Sequence, residues 1–401
     1  LKAVPTPESP AENLAVDGVP VSQKRKKLVA LELIRGIAAT WVLIHHISQR
    51  VTPDVSHLLG RILTPFRMSG EFPVIVFFVL SGFVITYQHH GRRDTFKDYL
   101  RARFTRIYPV YVFALLIAAL YLFALNSKAS TLHVSQIDLV PTVSQNLASP
   151  NQPGLFLGNL LMVQGPSWLN IGTCVQPFGF DGPLWSLSFE WWFYMAFFWL
   201  NTRLTGTKGR NIVQGCALVA ILLTPFVHQF VLLWFAMFPI WWAGSDLAVE
   251  FLNSGKCTWK PQRSFLIGLV CSMIYLAGMR IFLRHSNPTL VNADLIGFLL
   301  HCGVFAIVSV IAGILLSRSI GTTKFNGNKF VARFGADSYA LYVLHYVMLN
   351  LTGLLPLSFG LDIALGFIGA FLFADLAEHI VHPAAMKAIQ KVWPRREPAR
   401  V

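Results

Sequence analysis

Apolar runs of about 20 residues, the length that crosses a bilayer as a helix, recur along nearly the whole chain with no long soluble stretch between them. In hydrocarbon a backbone must satisfy its own polar groups, so a chain patterned this way folds as a bundle of membrane-spanning helices. Composition agrees: 54% of the 401 residues are hydrophobic and 13% charged, too little polar surface to cover a water-soluble fold. The expected fold class is all-α, a polytopic transmembrane bundle of about ten helices. The spans are read as Leu28 to Ile47, Phe72 to Gln88, Ile107 to Leu125, Pro183 to Leu200, Ile212 to His228, Phe230 to Glu250, Phe265 to Ile281, Ala293 to Leu316, Ser338 to Leu355 and Leu361 to Val381. The fifth and sixth nearly touch at His228 and Gln229, where a re-entrant hairpin would alter the count.

Basic residues test this division, because cytoplasmic segments of membrane proteins are enriched in Lys and Arg. With the amino terminus inside, the cytoplasmic segments hold 26 Lys and Arg and the external ones 6, with Arg35 inside a span to complete the 33. An even number of helices and two cytoplasmic termini follow. Residues 1–27 read as a disordered cytoplasmic tail, 28–382 as the membrane domain and 383–401 as a basic cytoplasmic tail. The longest connection, about Asn126 to Gly182, is external, poor in charge and long enough to cover an opening. The protein's partner is thus a lipid bilayer, either endoplasmic reticulum or plasma membrane. The net charge of +14 does not point to nucleic acid, because the basic residues sit between apolar spans instead of forming a soluble patch. The five cysteines show neither CxxC spacing nor a dense framework, which argues against structural zinc and a disulfide scaffold.

Ionisable groups inside spans cost about 2.5 to 3.5 kcal/mol each and mark functional positions. The first span holds Glu32, Arg35, His45 and His46. At 100° per residue, Arg35 and His46 lie about 20° apart around the axis and roughly 16 Å apart along it, on one stripe. Glu32 falls where it can pair with Arg35, and His46 is favoured over His45 as Arg35's functional partner. The fourth span adds Trp185, Ser186 and Glu190, the last about 10 Å inside the external end. Ser81 and Gly82 close the run FFVLSGF, where small residues also serve close helix packing. Arg101, Arg103 and Arg106 sit on a cytoplasmic loop before Pro109, with guanidinium enough to hold a polyphosphate or a lipid headgroup. Tyr339, Tyr342 and His345 fall along one neighbouring stripe of the ninth span. Asp375, Glu378, His379 and His382 share a helical face, but without an HExxH pattern no metal is expected.

Read in order, LELIRGIAATWVLIHH, FPVIVFFVLSGFVI, RFTRIYPVY, GPLWSLSFEWWFY and DSYALYVLHYVML resemble the acyltransferase type 3 family of membrane O-acyltransferases, with bacterial and many fungal members. The resemblance implies ten helices and transfer of an acyl group, expected to be acetyl, usually from acyl-CoA on the cytoplasmic side, to a hydroxyl. It makes Arg35 and His46 the intramembrane Arg and His pair and Arg103 and Arg106 the loop arginines. The expected site has His46 as base, Glu190 and Arg35 as further catalytic groups, and Arg103, Arg106 and Ser81 around the donor. Glu32, Trp185, Ser186, Tyr339 and His345 support the substrates. No cofactor is bound, acyl-CoA being a co-substrate and a hydroxylated acceptor the second partner. The segment after Glu190 is WW where more polar residues are common, which leaves the acceptor open among lipid, glycan and lipophilic metabolite. Two other readings remain: a secondary transporter using Arg, Glu and His, and an enzyme whose single catalytic His is His345.

Overall fold

The computed structural model describes residues 28–51, 57–92, 94–128, 152–169, 171–172, 174–203, 207–286, 292–320 and 329–394. The amino-terminal tail and residues 129–151 of the long connection expected to be external lie outside the described residues, as does the end of the basic tail. The helices are α1 (Val29–Arg50), α2 (His57–Arg67), α3 (Glu71–His89), α4 (Phe96–Lys128), α5 (Gln152–Leu160), α6 (Trp185–Arg203), α7 (Lys208–Leu223), α8 (Phe230–Ser254), α9 (Arg263–Ser286), α10 (Ala293–Ile320), α11 (Lys329–Thr352) and α12 (Phe359–Leu376). A π-helical turn (Ala377–Val381) then joins α12 to α13 (His382–Val392). Among the described residues there is no β-strand, only isolated bridges of Gln164 with Val175 and Gly172 with Gln229.

The bundle is all-α and polytopic, and each of the ten expected spans coincides with a helix. By length and composition, 7 helical stretches among the described residues can cross a membrane. Those that fall short of this measure are α6, α7 and α11. α7 has only 16 residues. α6 and α11 are inner helices: most of their side chains meet protein, so their polar residues face other helices instead of lipid. α9 occupies the periphery and leaves Ile267, Ile274 and Ile281 exposed for hydrocarbon. Hydropathy could not reveal α2, α5 or α13, all shorter than a bilayer. α2 packs on α1 and exposes Leu58 and Ile62, as a helix lying at the interface does.

Two local devices position the site. Gly82 of α3 and Gly244 of α8 let these helices touch backbone to backbone: a Cβ at Gly82 would lie 2.0 Å from the Trp241 carbonyl oxygen, and one at Gly244 1.9 Å from that of Val79. The basic cluster expected on a loop is instead helical. Arg101, Arg103 and Arg106 occupy the first turns of α4, which continues through Pro109 without a break. Proline cannot donate to the carbonyl four residues earlier. That carbonyl, of Thr105, accepts a 2.9 Å hydrogen bond from His382 Nε2, so α13 is tied to the freed backbone group. The extension holds the arginines on a rigid element pointing at the bundle, where a loop would have let them drift.

Candidate active site

Eight of the residues singled out in the sequence converge on one cavity of about 280 Å³ between α1, α3, α4, α6 and α11: Arg35, Ser81, Arg103, Arg106, Ser186, Glu190, Tyr339 and Tyr342. Tyr194 and Gln88 complete its polar wall, with Phe77, Phe78 and Leu80 on the apolar side. The arginines of α4 and Gln88 lie at the end expected to be cytoplasmic, and Ser186 and Tyr342 lie deep in the bundle.

Glu190 is the terminus of a directed hydrogen-bond chain. The Tyr194 hydroxyl donates to Glu190 Oε1, which uses its only proton. Ser81 must therefore donate to the Tyr194 oxygen at 2.8 Å, and the Trp241 indole donates to Ser81 at 3.2 Å. The close α3–α8 contact makes this chain possible by bringing Trp241 against Ser81. The chain fixes the orientation of the carboxyl group where it lines the cavity. Arg35 shares that cavity, 3.7 Å from Glu32 as their spacing of three implies.

Arg103 donates to His89 Nε2 at 3.1 Å and stacks over Tyr99 and Tyr194, while its Nε is buried without a protein partner. Arg106 donates to Glu378 Oε1 and lies over the Tyr339 ring. The π-helical turn after α12 carries Glu378, and such turns recur at functional positions. Tyr339 donates to the Ile107 carbonyl at 2.9 Å, which locks α11 to α4. Ser186 donates to the Tyr342 hydroxyl at 2.6 Å, and Tyr342 in turn donates to the Pro183 carbonyl at 2.7 Å. The helical face with apparent metal-ligand spacing is only partly divided: Glu378 serves Arg106 and His382 serves Thr105, whereas His379 and Asp375 stay together with Asp337, their ligand atoms within 4.8 Å of one another, and Asp375 also pairs with Arg333.

His46 lies elsewhere. It shares α1 with Arg35 but does not line the cavity, because eleven steps along the helix carry it about 16 Å toward the opposite end. Its ring stacks on His345 of α11 at 5.3 Å and meets Tyr346 edge-on at 4.8 Å. Its orienting partner is Gln49, not Glu190. The tautomers follow from one carbonyl. His45 Nδ1 lies 2.8 Å from the Phe66 oxygen and must donate, so its Nε2 accepts from the Gln49 amide at 3.1 Å. The Gln49 oxygen then faces His46 Nδ1 at 2.9 Å and takes its proton, which leaves His46 Nε2 as an open lone pair. His345 is fully buried, its Nδ1 donates to the Tyr342 carbonyl at 2.7 Å, and its Nε2 has no protein partner. Tyr342 joins the two regions: its hydroxyl lines the cavity, and its ring centre is 6.0 Å from that of His345.

Trp185 does not reach the cavity either. It is buried among Trp168, Phe189 and Phe298, a wall between α6 and α10. Five polar residues around the site were not singled out from the sequence: Gln88, Tyr194, Trp241, Gln49 and Asp181. Only Tyr194 carried a local signal, four residues beyond Glu190 on the same helical face. Asp181, just before α6, is fully buried with neither carboxyl oxygen bonded to protein, and burial pushes its carboxyl well above the usual carboxylate range. A raised carboxyl leaves stability unaffected below the unfolded value near pH 3.9, where both states are protonated, and lowers it as pH rises toward the folded value. Asp181→Asn is therefore expected to melt above the parent at pH 7.5, the gap closing toward pH 4 with a slope of at most about 1.4 kcal/mol per pH unit. Thermal melts of purified protein across that range check it; a gap that does not change with pH contradicts it.

Residues 28–379 match the acyltransferase domain family, from the start of α1 into the π-helical turn that carries Glu378. Among curated proteins, the chain is 27% identical over 353 residues to acyltransferase MdmB of Streptomyces mycarofaciens, covering 81% of this chain and 79% of that one. It is 32% identical over 156 residues to protein 2 in the picA locus of Rhizobium radiobacter, covering 36% of this chain and 75% of that one. No solved structure matches. The family match takes in every helix that lines the cavity, and the chain belongs to the type 3 acyltransferases, as an integral membrane member.

Proposed function

We propose that the protein is an O-acyltransferase that moves an acyl group from acyl-CoA to a hydroxyl of a lipophilic metabolite, lipid or glycan. The observation that carries this reading is the polar cavity that leads from two arginines at one end to Arg35, Glu190 and Tyr342 deep in the bundle. Arg103 and Arg106, which line the cavity, hold the phosphates of CoA. The pantetheine arm runs along the cavity past Ser81 and brings the thioester carbonyl beyond Arg35 toward Tyr342. The acceptor hydroxyl attacks that carbonyl and the carbon–sulfur bond breaks, with Arg35 steadying the donor from the cavity side. His46 Nε2 takes the hydroxyl proton and returns it to the thiolate, so that CoA leaves as the thiol. Glu190 orients the acceptor. His345 and Tyr342 form the wall between the cavity and His46, and the acceptor occupies this boundary, where thioester and base come together.

The test is release of free CoA by detergent-purified protein supplied with acyl-CoAs and a pool of hydroxylated lipids and metabolites. Acceptor-dependent release is expected, and it disappears in His46→Ala. Folded protein that releases no CoA with any donor, yet moves solutes in vesicles, would replace this reading with the transporter one.

A further inference from the structure

A second cavity of about 210 Å³ lies between α1, α3, α8 and α10. Its lining is apolar apart from the Ser309 hydroxyl and the Cys257 thiol, which is already engaged with the Leu247 carbonyl. Leu80 is the one residue that lines both this cavity and the polar one. On α1 the same division falls between neighbours: Ile34 faces the apolar cavity and Arg35 the polar one. The outer edge is formed by Ile37 and Leu316, 50% and 45% exposed on the bundle's outer surface, where hydrocarbon would meet them.

We propose that this cavity is the acyl-chain subsite, and that the donor is a medium-chain acyl thioester with more carbons than acetyl. The inference rests on the acyl transfer proposed above and adds the class of donor. With CoA anchored at Arg103 and Arg106 and the carbonyl beyond Arg35, an acetyl group ends beside Leu80. A longer chain has the polar cavity on one side and an apolar cavity on the other, and burial favours the apolar one. On α3 the apolar cavity extends from Phe72 to Phe83, about 16 Å at 1.5 Å per residue, so several methylenes lie along it. Leu80 is the threshold between head and tail. A lateral opening to lipid suits a hydrocarbon end, which loses nothing by touching bilayer chains. The reaction itself does not change: the carbon–sulfur bond breaks, the ester carbon–oxygen bond forms, and the proton passes from acceptor to thiolate.

The experiment compares acetyl-, butanoyl-, hexanoyl-, octanoyl- and decanoyl-CoA with the parent protein and with Ala312→Phe, which fills the apolar cavity from α10, far from the polar one. In the parent, donor KM is expected to fall about threefold to fourfold per added methylene until the cavity is full. Ala312→Phe shortens the optimum and lowers the preference for octanoyl over acetyl at least tenfold. Thermal stabilisation by octanoyl-CoA relative to CoA alone is read in parallel, and is expected in the parent and lost in the variant. This binding arm separates the two ideas. Loss of turnover with every donor, with the stabilisation intact, sinks the transferase reading and leaves the subsite standing. A flat chain-length profile, or an Ala312→Phe effect confined to acceptor KM, overturns the subsite.

Discussion

Replacing His46 by alanine is expected to lower turnover by about 10² to 10⁴-fold, the usual worth of a positioned general base. The argument rests on its tautomer. Gln49 fixes the proton on Nδ1 and leaves Nε2 open, and that assignment is forced by the Phe66 carbonyl through His45. The companion substitutions discriminate. Gln49→Leu removes the oxygen that holds Nδ1 and lets the ring take either tautomer, so the loss should be smaller, about tenfold, and visible in kcat more than in KM. His345→Gln keeps a side chain against the Tyr342 carbonyl and should cost less than His46→Ala, because His345 stacks on the base without replacing it. Steady-state CoA release measures all three, with melting temperature as the control for folding. Loss of turnover with His345→Gln and retention with His46→Ala would move the base to the buried Nε2 of His345.

Much of the site was legible because hydrocarbon makes polar residues conspicuous. Arg35, Ser81, Ser186, Glu190 and Tyr339 interrupt apolar runs, and such residues have nowhere to face except inward. With Tyr342 and the α4 arginines Arg103 and Arg106, these five line the same cavity. Sequence spacing could also pair Glu32 with Arg35 within one helix. It failed at longer range. The shared stripe of Arg35 and His46 says only that they point the same way, not that one ligand touches both, and the partners that decide their environments come from α11 and α2. Glu378 is bonded to an arginine 272 positions earlier, and no local pattern encodes that contact. The helix in place of a loop at Arg101 to Arg106 was hidden by charge, which hydropathy treats as the end of a span although the helix continues into water. Asp181 was invisible for the opposite reason: next to Gly and Pro it reads as a turn residue, and only the packing shows it buried.

Glu190→Gln is expected to lower kcat by about 10²-fold with little change in donor KM. The amide has the same shape, and its oxygen can still accept from Tyr194, so the chain through Ser81 and Trp241 survives and the bundle keeps its packing. What disappears is the carboxylate that shares the cavity with Arg35. Tyr194→Phe tests the support separately. It leaves the carboxylate in place but removes the one protein hydroxyl that aims it, and a single hydrogen bond to a charged group is worth about 1.5 to 3 kcal/mol, or roughly tenfold to a hundredfold. Arg106→Ala should do the reverse of Glu190→Gln, raising donor KM while kcat holds, since the proposed role of Arg106 is to anchor phosphate away from the reacting carbonyl. Its removal also frees Glu378 at the cytoplasmic end, so Arg106→Lys, which keeps the charge and loses the bidentate fork, is the better control. If Glu190→Gln raised donor KM and left kcat alone, the carboxylate would belong to the donor's seat, and the acceptor would have to be oriented by Ser186 and Tyr342 at the deep end of the cavity.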